Sequence, residues 1–257
     1  MKRSKSIADC GAPLLFIALL LVLWELIVRW GKVPEWILPG PLQILKTFGE
    51  TLPMMLKHAR VTIFECLVGF AAAVILAFII ALLMDELPLV RKALYPLLVT
   101  SQTVPIVSVA PLFIIWFGYG ILPKILVVIL VCFFPVVISL LGGLAAVDND
   151  YLKLFRSMGA SKMAIFRMVK LPLALPSFFS GLKISATYSV MGAVIGEWLG
   201  AKEGLGNYLT LSQRSFMVDR VFAAILAITI LSLMLFAVVV SVERLVIPWH
   251  RLDDFQE

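Results

Sequence analysis

The sequence is short of charge and of the residues from which most active sites are made. Charged residues fill 15% of the 257 positions, against about 25% in an ordinary soluble domain, and hydrophobic residues fill 61%. Water is therefore not the main solvent of this chain. The two histidines, His58 and His250, stand in polar flanks without ligand spacing, which leaves metal catalysis no foothold. The three cysteines, Cys10, Cys66 and Cys132, are far apart and inside or beside apolar stretches, so they read as packing residues and not as a disulfide framework. The one Gly-Lys pair, Gly31-Lys32, is followed by Val33, and no G-x-x-x-x-G-K-[ST] loop is present, which excludes that mode of ATP binding. A G-x-S-x-G nucleophile elbow is also missing.

The net charge of +6 does not point to nucleic acid, because the basic residues are scattered beside hydrophobic runs and form no cluster interleaved with aromatics. What is abundant is long apolar sequence. Windows near residues 12–30, 61–84, 97–118, 121–144, 176–199 and 221–247 each approach the ~20 residues needed to cross hydrocarbon as a helix. They lack the alternation of barrel strands, so the expected fold class is all-α, a polytopic integral membrane protein with about six transmembrane helices. The first run follows Lys2, Arg3 and Lys5 but is too long for a cleavable signal core, and no small-residue cleavage site follows it. It is expected to be a retained span. Six spans place both termini on one side, and the excess of Lys and Arg on that side, above all in residues 153–170, makes it the cytoplasm.

Two polar connections are long: 31–60, expected outside, and 148–175, expected inside. In the first, Pro39 and Pro41 predict an extended turn and then an amphipathic helix over about 42–57 lying along the outer face. In the second, local rules predict two short helices. Asp148 or Asn149 caps the first, Gly159 suits its left-handed end, Ser161 caps the second, and Pro172 ends it. Leu152, Phe155, Met163 and Phe166 give each helix an apolar side, and Lys153, Arg156, Lys162, Arg167 and Lys170 a basic one.

Within the third span, Pro96, Pro105 and Pro111 interrupt helical bonding among Ser101, Gln102, Thr103 and Ser108. Two readings stay open: a wall of a translocation path, or a proline-kinked helix whose hydroxyls satisfy their own backbone. Ionisable residues inside spans are costly. Glu25, Glu65 and Glu243 lie near basic residues or span ends, and Lys183 can snorkel to the headgroups. Glu197 follows the small-residue run 192–196, which allows close helix approach, and precedes Trp198; it either faces a cavity or makes a structural hydrogen bond.

The spacing of Gly159, Val169 and Leu171-Pro172 resembles the cytoplasmic signature of binding-protein-dependent ABC importer permeases. In that family Glu-Ala-Ala precedes three residues, glycine, nine residues, an aliphatic, one residue and Leu-Pro. Here Lys153, Leu154 and Phe155 stand where Glu-Ala-Ala is expected. The resemblance extends over roughly 58–243 through "PLFIIWFGYG", "FFPVVISLLGGLAAVD" and "GLGNYL", leaving 1–57 as an N-terminal span with its outer connection and 244–257 as a cytoplasmic tail.

The resemblance implies an ABC transmembrane type-1 fold whose cytoplasmic coupling hairpin docks in a cleft of a separate ATPase dimer, which binds ATP and Mg while this chain holds no cofactor. Residues matched to that role are Lys153, Phe155, Met158, Gly159, Ala160, Ser161, Lys162, Met163, Phe166, Arg167, Leu171 and Pro172. Phe155, Met158, Met163 and Phe166 are the expected anchors, and Lys162 and Arg167 the partners of acidic rim groups. Substrate-path candidates are Ser101, Gln102, Thr103, Pro105, Tyr188, Ser189, Glu197 and Trp198. A solute-binding protein outside the membrane and a second copy of the chain are the further implied partners. The branch it resembles serves nitrate, sulfonates and taurine, and "GEWLGAKEGLGNYL" is similar to permeases for aminopyrimidine precursors of thiamine. The competing class, a self-sufficient secondary transporter or channel, needs its own coupling-ion site and usually inverted repeats. Neither is visible.

Overall fold

The computed structural model describes residues 7–249; Lys2, Arg3, Lys5, His250, Arg251 and the side chain of Cys10 lie outside the described part. Ten α-helices follow one another: α1 (Ile7–Trp30), α2 (Pro41–Glu86), α3 (Pro88–Ser101), α4 (Ile106–Phe117), α5 (Leu122–Ala145), α6 (Asn149–Ser157), α7 (Lys162–Ile165), α8 (Leu171–Trp198), α9 (Leu205–Arg214) and α10 (Val218–Val246). A π-turn, Phe166–Lys170, joins α7 to α8, and no strand occurs among the described residues. Among the described residues, four helical stretches are long and apolar enough to span a membrane: α2, α5, the continuous run Lys162–Trp198, and α10. The pair α3 and α4 makes a fifth when counted together, and α1, at 24 residues, has the length of a span.

Two expectations need correction, and the proline-rich third span, left open by the sequence, is decided. The helix expected to lie along the outer face over 42–57 is instead the first third of α2, a single helix of 46 residues. Pro53 does not break it: Gly49, whose carbonyl the proline leaves without an amide, is exposed. The third span is not one helix. Its two halves are bent by 102° at residues 102–105, with Pro105 as the N-cap of α4. Nor does Pro172 end the second short helix. It sits in the first turn of α8, and the π-turn ahead of it accommodates the proline, with the Leu171 N–H reaching back five residues to the Phe166 carbonyl.

The centre of the fold is the α5–α8 contact, made close by small residues. A Cβ added at Gly181 would stand 2.8 Å from the Pro135 carbonyl oxygen, and one at Gly192 3.2 Å from the Val128 Cα. Ala174, Ser185, Ala186, Ser189 and Ala193 are buried along the same helix. Polar atoms in this seam satisfy one another: Ser185 Oγ donates to the Cys132 carbonyl at 2.8 Å, and Cys132 Sγ to the Ser185 carbonyl at 3.3 Å. Cys66 and Cys132 are buried and free, packing residues as read from the sequence. α2 packs against both helices, with Ala73, Ala77 and Ala81 fully buried, and α10 closes the other side. Lys183 does not snorkel; its ammonium pairs with Glu243 of α10 at 3.0 Å.

α1 stands apart from this core. Glu25 accepts from the Leu42 amide at 3.2 Å, in the first turn of α2, and from Arg29 at 2.5 Å. A carboxylate at a helix N-terminus meets unpaired N–H groups and the positive end of the macrodipole. Trp24 adds a ring contact to Phe222 of α10.

Candidate functional site

The hairpin between α5 and α8 is built by local capping. Asp148 accepts from the Asp150 amide at 2.9 Å and starts α6. The end of α6 is a Schellman turn: the Gly159 N–H donates to the Arg156 carbonyl and the Ala160 N–H to the Phe155 carbonyl, both at 3.0 Å. That turn places Gly159 at φ 81°, which a β-carbon disfavours. Ser161 then accepts from the Ala164 amide at 3.2 Å and starts α7.

Two of the expected anchors, Met158 and Met163, are uncovered, Met158 to 73% of its surface. Phe155 is half-buried, and Phe166 turns inward against the main core. Tyr151, Leu154 and Met168, which sequence reasoning passed over, join Met158 and Met163 as exposed apolar groups. Of the basic residues, Lys153 pairs with Asp150 at 2.9 Å, Lys162 with Glu86 at 3.4 Å and Lys170 with Asp85 at 2.7 Å; Arg167 is exposed. Leu171 and Pro172 are half-buried at the root of α8.

At the far end of α8, Glu197 is 1% exposed and holds three elements together. It accepts from Thr62 Oγ1 of α2 at 2.7 Å and from the Gly206 amide of α9 at 2.6 Å. Thr62 in turn accepts from the Leu205 amide at 2.9 Å, and His58 Nδ1 from the Gly204 amide at 3.1 Å. The N–H groups of the N-cap Gly204 and of the first two residues of α9 are thus met by side chains of α2 and α8. Gly204, at φ 124°, is forced on the site, since a Cβ there would stand 2.2 Å from the Glu197 carboxyl carbon. One turn along α2, the fully buried Glu65 pairs with Lys124 of α5. Glu197 thus makes the structural hydrogen bond that was one of the two roles open to it. Glu197 and Trp198 also line a recess of about 360 Å³ with Asn207 and Arg214. Glu65 was singled out in the sequence and His58 only placed in a polar flank, but that Thr62, His58, Glu65 and Lys124 gather around Glu197 could not be read there, because no local pattern joins positions so far apart.

A wider recess of about 820 Å³ opens at this end between Tyr119, Lys124, Gly196, Leu199 and Lys202. Neither recess is lined by the other path candidates. Ser101, Gln102, Thr103 and Pro105 are all exposed at the α3–α4 break, where Ser101 Oγ donates to the Leu98 carbonyl at 2.7 Å and Thr103 Oγ1 to the Thr100 carbonyl at 2.8 Å. Tyr188 is exposed, whereas its neighbour Ser189 is buried and donates to the Ala186 carbonyl at 2.7 Å.

A bundle of spanning helices with a capped hairpin between the last two long pairs is the architecture of an ABC importer membrane subunit. Residues 70–250 match the family described as binding-protein-dependent transport system inner membrane component, and the chain belongs to that family. It is 37% identical over 252 residues to the formylaminopyrimidine transport permease protein ThiX of Halalkalibacterium halodurans, covering 98% of this chain and 99% of that one. It is 32% identical to the riboflavin transport system permease protein RibX of Chloroflexus aurantiacus, covering 93% and 90%. Among solved structures, an amino acid ABC transporter crystallised with histidines superposes with a TM-score of 0.61 at 15% identity, over 79% of this chain and 96% of that one. The likeness at that identity is one of fold.

Proposed function

We propose that the chain is the membrane-spanning half of an importer for a small nitrogen heterocycle of the aminopyrimidine type, a precursor of thiamine. In this reading it works as a homodimer, with the hairpin in the cytosol, docked in an ATPase that binds ATP and Mg, and a solute-binding protein delivers the solute from outside. The observation that carries the reading is the hairpin. Its two helices are capped without help from the rest of the fold, yet Tyr151, Leu154, Met158, Met163 and Met168 are left in the open. Apolar groups set among basic ones on a rigid turn suit a cleft with an apolar floor and an acidic rim. Force from closure of that cleft passes into α8, because α7, the π-turn and α8 are one continuous helical run.

The solute class rests on resemblance: the two relatives named above carry, by their names, two planar nitrogen heterocycles. The test is uptake into proteoliposomes holding this chain, its ATPase and its binding protein, with formylaminopyrimidine offered against riboflavin and taurine. Uptake of formylaminopyrimidine that needs MgATP and both partners is the expected result. Uptake by the chain alone would make it a secondary transporter or channel, and preference for taurine would move it to the sulfonate side.

A further inference from the structure

α2 and α8 run antiparallel and are tied together near both ends. At the hairpin end, Lys170 pairs with Asp85 at 2.7 Å, both side chains largely shielded, at 23% and 14% exposure. At the other end, Thr62 donates to Glu197 at 2.7 Å. The ties are about 35 Å apart along α2 at 1.5 Å per residue. Between the hairpin and α8 the regular helical ladder is interrupted. Phe166–Lys170 is a π-turn, one residue wider than the regular ladder, and such interruptions in helices are frequent at functional sites. Lys170 is the last residue of that turn. Its ammonium therefore crosses the joint sideways to a second helix, where Asp85 stands one residue from the end of α2. The neighbouring Lys162–Glu86 pair, at 3.4 Å and largely exposed, adds little of its own.

We infer that Asp85 and Lys170 are positioning residues that splint the π-joint, so that the hairpin, α2 and α8 move as one lever. A push on the hairpin then reaches the Thr62–Glu197–Gly206 knot, and with it α9, by two parallel members. Without the splint the π-turn flexes and the hairpin swings alone. Neither residue belongs to the exposed apolar face, so losing the splint leaves that face able to meet its partner. The inference rests on the importer reading for its consequence and on geometry for its mechanism.

The test separates the two. Nitroxides are placed at Ser157 on the hairpin and Ser180 on α8, both exposed, in a chain without native cysteines, diluted with unlabelled chain in nanodiscs. The parent gives a narrow distance distribution. Asp85→Lys and Lys170→Asp each broaden it about twofold, and the double reversal narrows it again, the signature of a direct pair. In the assembled transporter, each single reversal raises ATP hydrolysed per formylaminopyrimidine imported about tenfold, with ATPase still co-purifying, and the double reversal recovers the parent ratio. Single reversals as narrow and as well coupled as the parent overturn the splint, and so does a double reversal no better than the singles. Should a reversal fail to insert, Asp85→Asn is measured in the same way and read by the same criteria. A parent chain that binds no ATPase would sink the importer reading, while the distance measurement would still decide the splint.

Discussion

At the hairpin end of the α2–α8 pair, Met158, Met163 and Met168 stand uncovered on short helices that depend on their own caps; about 35 Å away, by the rise of a helix, Glu197 is buried among side chains and amides of three elements. The first end is specified by neighbours in sequence and left incomplete in space. The second is buried in space and specified by residues that are remote in sequence, since Thr62 and Glu197 are separated by 135 positions. A surface that waits for a partner must fold before the partner arrives, which local capping allows. A joint that must hold under load needs its donors and acceptors matched, because an unpaired buried group costs more than a bond gains.

Breaking the far end is expected to have the largest effect on stability. Glu197→Ala strands the Thr62 hydroxyl and the Gly206 amide in a buried site and removes two bonds to a carboxylate, a loss of about 3 kcal/mol. Its thermal midpoint in detergent, followed by size-exclusion fluorescence, should fall well below that of the parent. An unchanged midpoint would show that water already satisfies these donors. At the hairpin, Gly159→Val meets no steric obstacle, since nothing lies within 4 Å of its Cβ, and its cost of about 1–2 kcal/mol comes from the left-handed backbone alone. It is expected to abolish uptake while the chain remains in the membrane at parental level, read by immunoblot of the membrane fraction beside the uptake assay. The smallest stability effect is expected from Met158→Ser combined with Met163→Ser. These exposed changes should stay within about 0.5 kcal/mol, yet lower ATPase co-purification about tenfold if they are anchors.

The contrast between the ends also explains what could be read from the sequence. The spans were legible because each is a long apolar run, and the hairpin because Asp148, Gly159 and Ser161 act on residues at most five positions away. The α3–α4 break was legible in its prolines. The first third of α2 was misread because its polar composition marks a surface helix, and nothing local says that it continues unbroken into a span past Pro53. Pro172 misled for the related reason that a π-turn can absorb a proline and leave no mark in composition. Glu197 was singled out as unusual, but its partners could not be named, and Lys183 was sent to the headgroups for want of a visible Glu243.

The Glu25–Arg29 pair in α1 bears on how the protein enters the bilayer. A lone carboxylate would burden a helix that precedes in the chain everything it will later pack against. Arg29, one turn further on, travels with it and cancels the charge within the same segment. Insertion of α1 thus needs no other helix, and once Leu42 appears its amide completes the carboxylate's shell. The counter-ion carried during biogenesis becomes, without rearrangement, part of the clasp that fixes the finished fold.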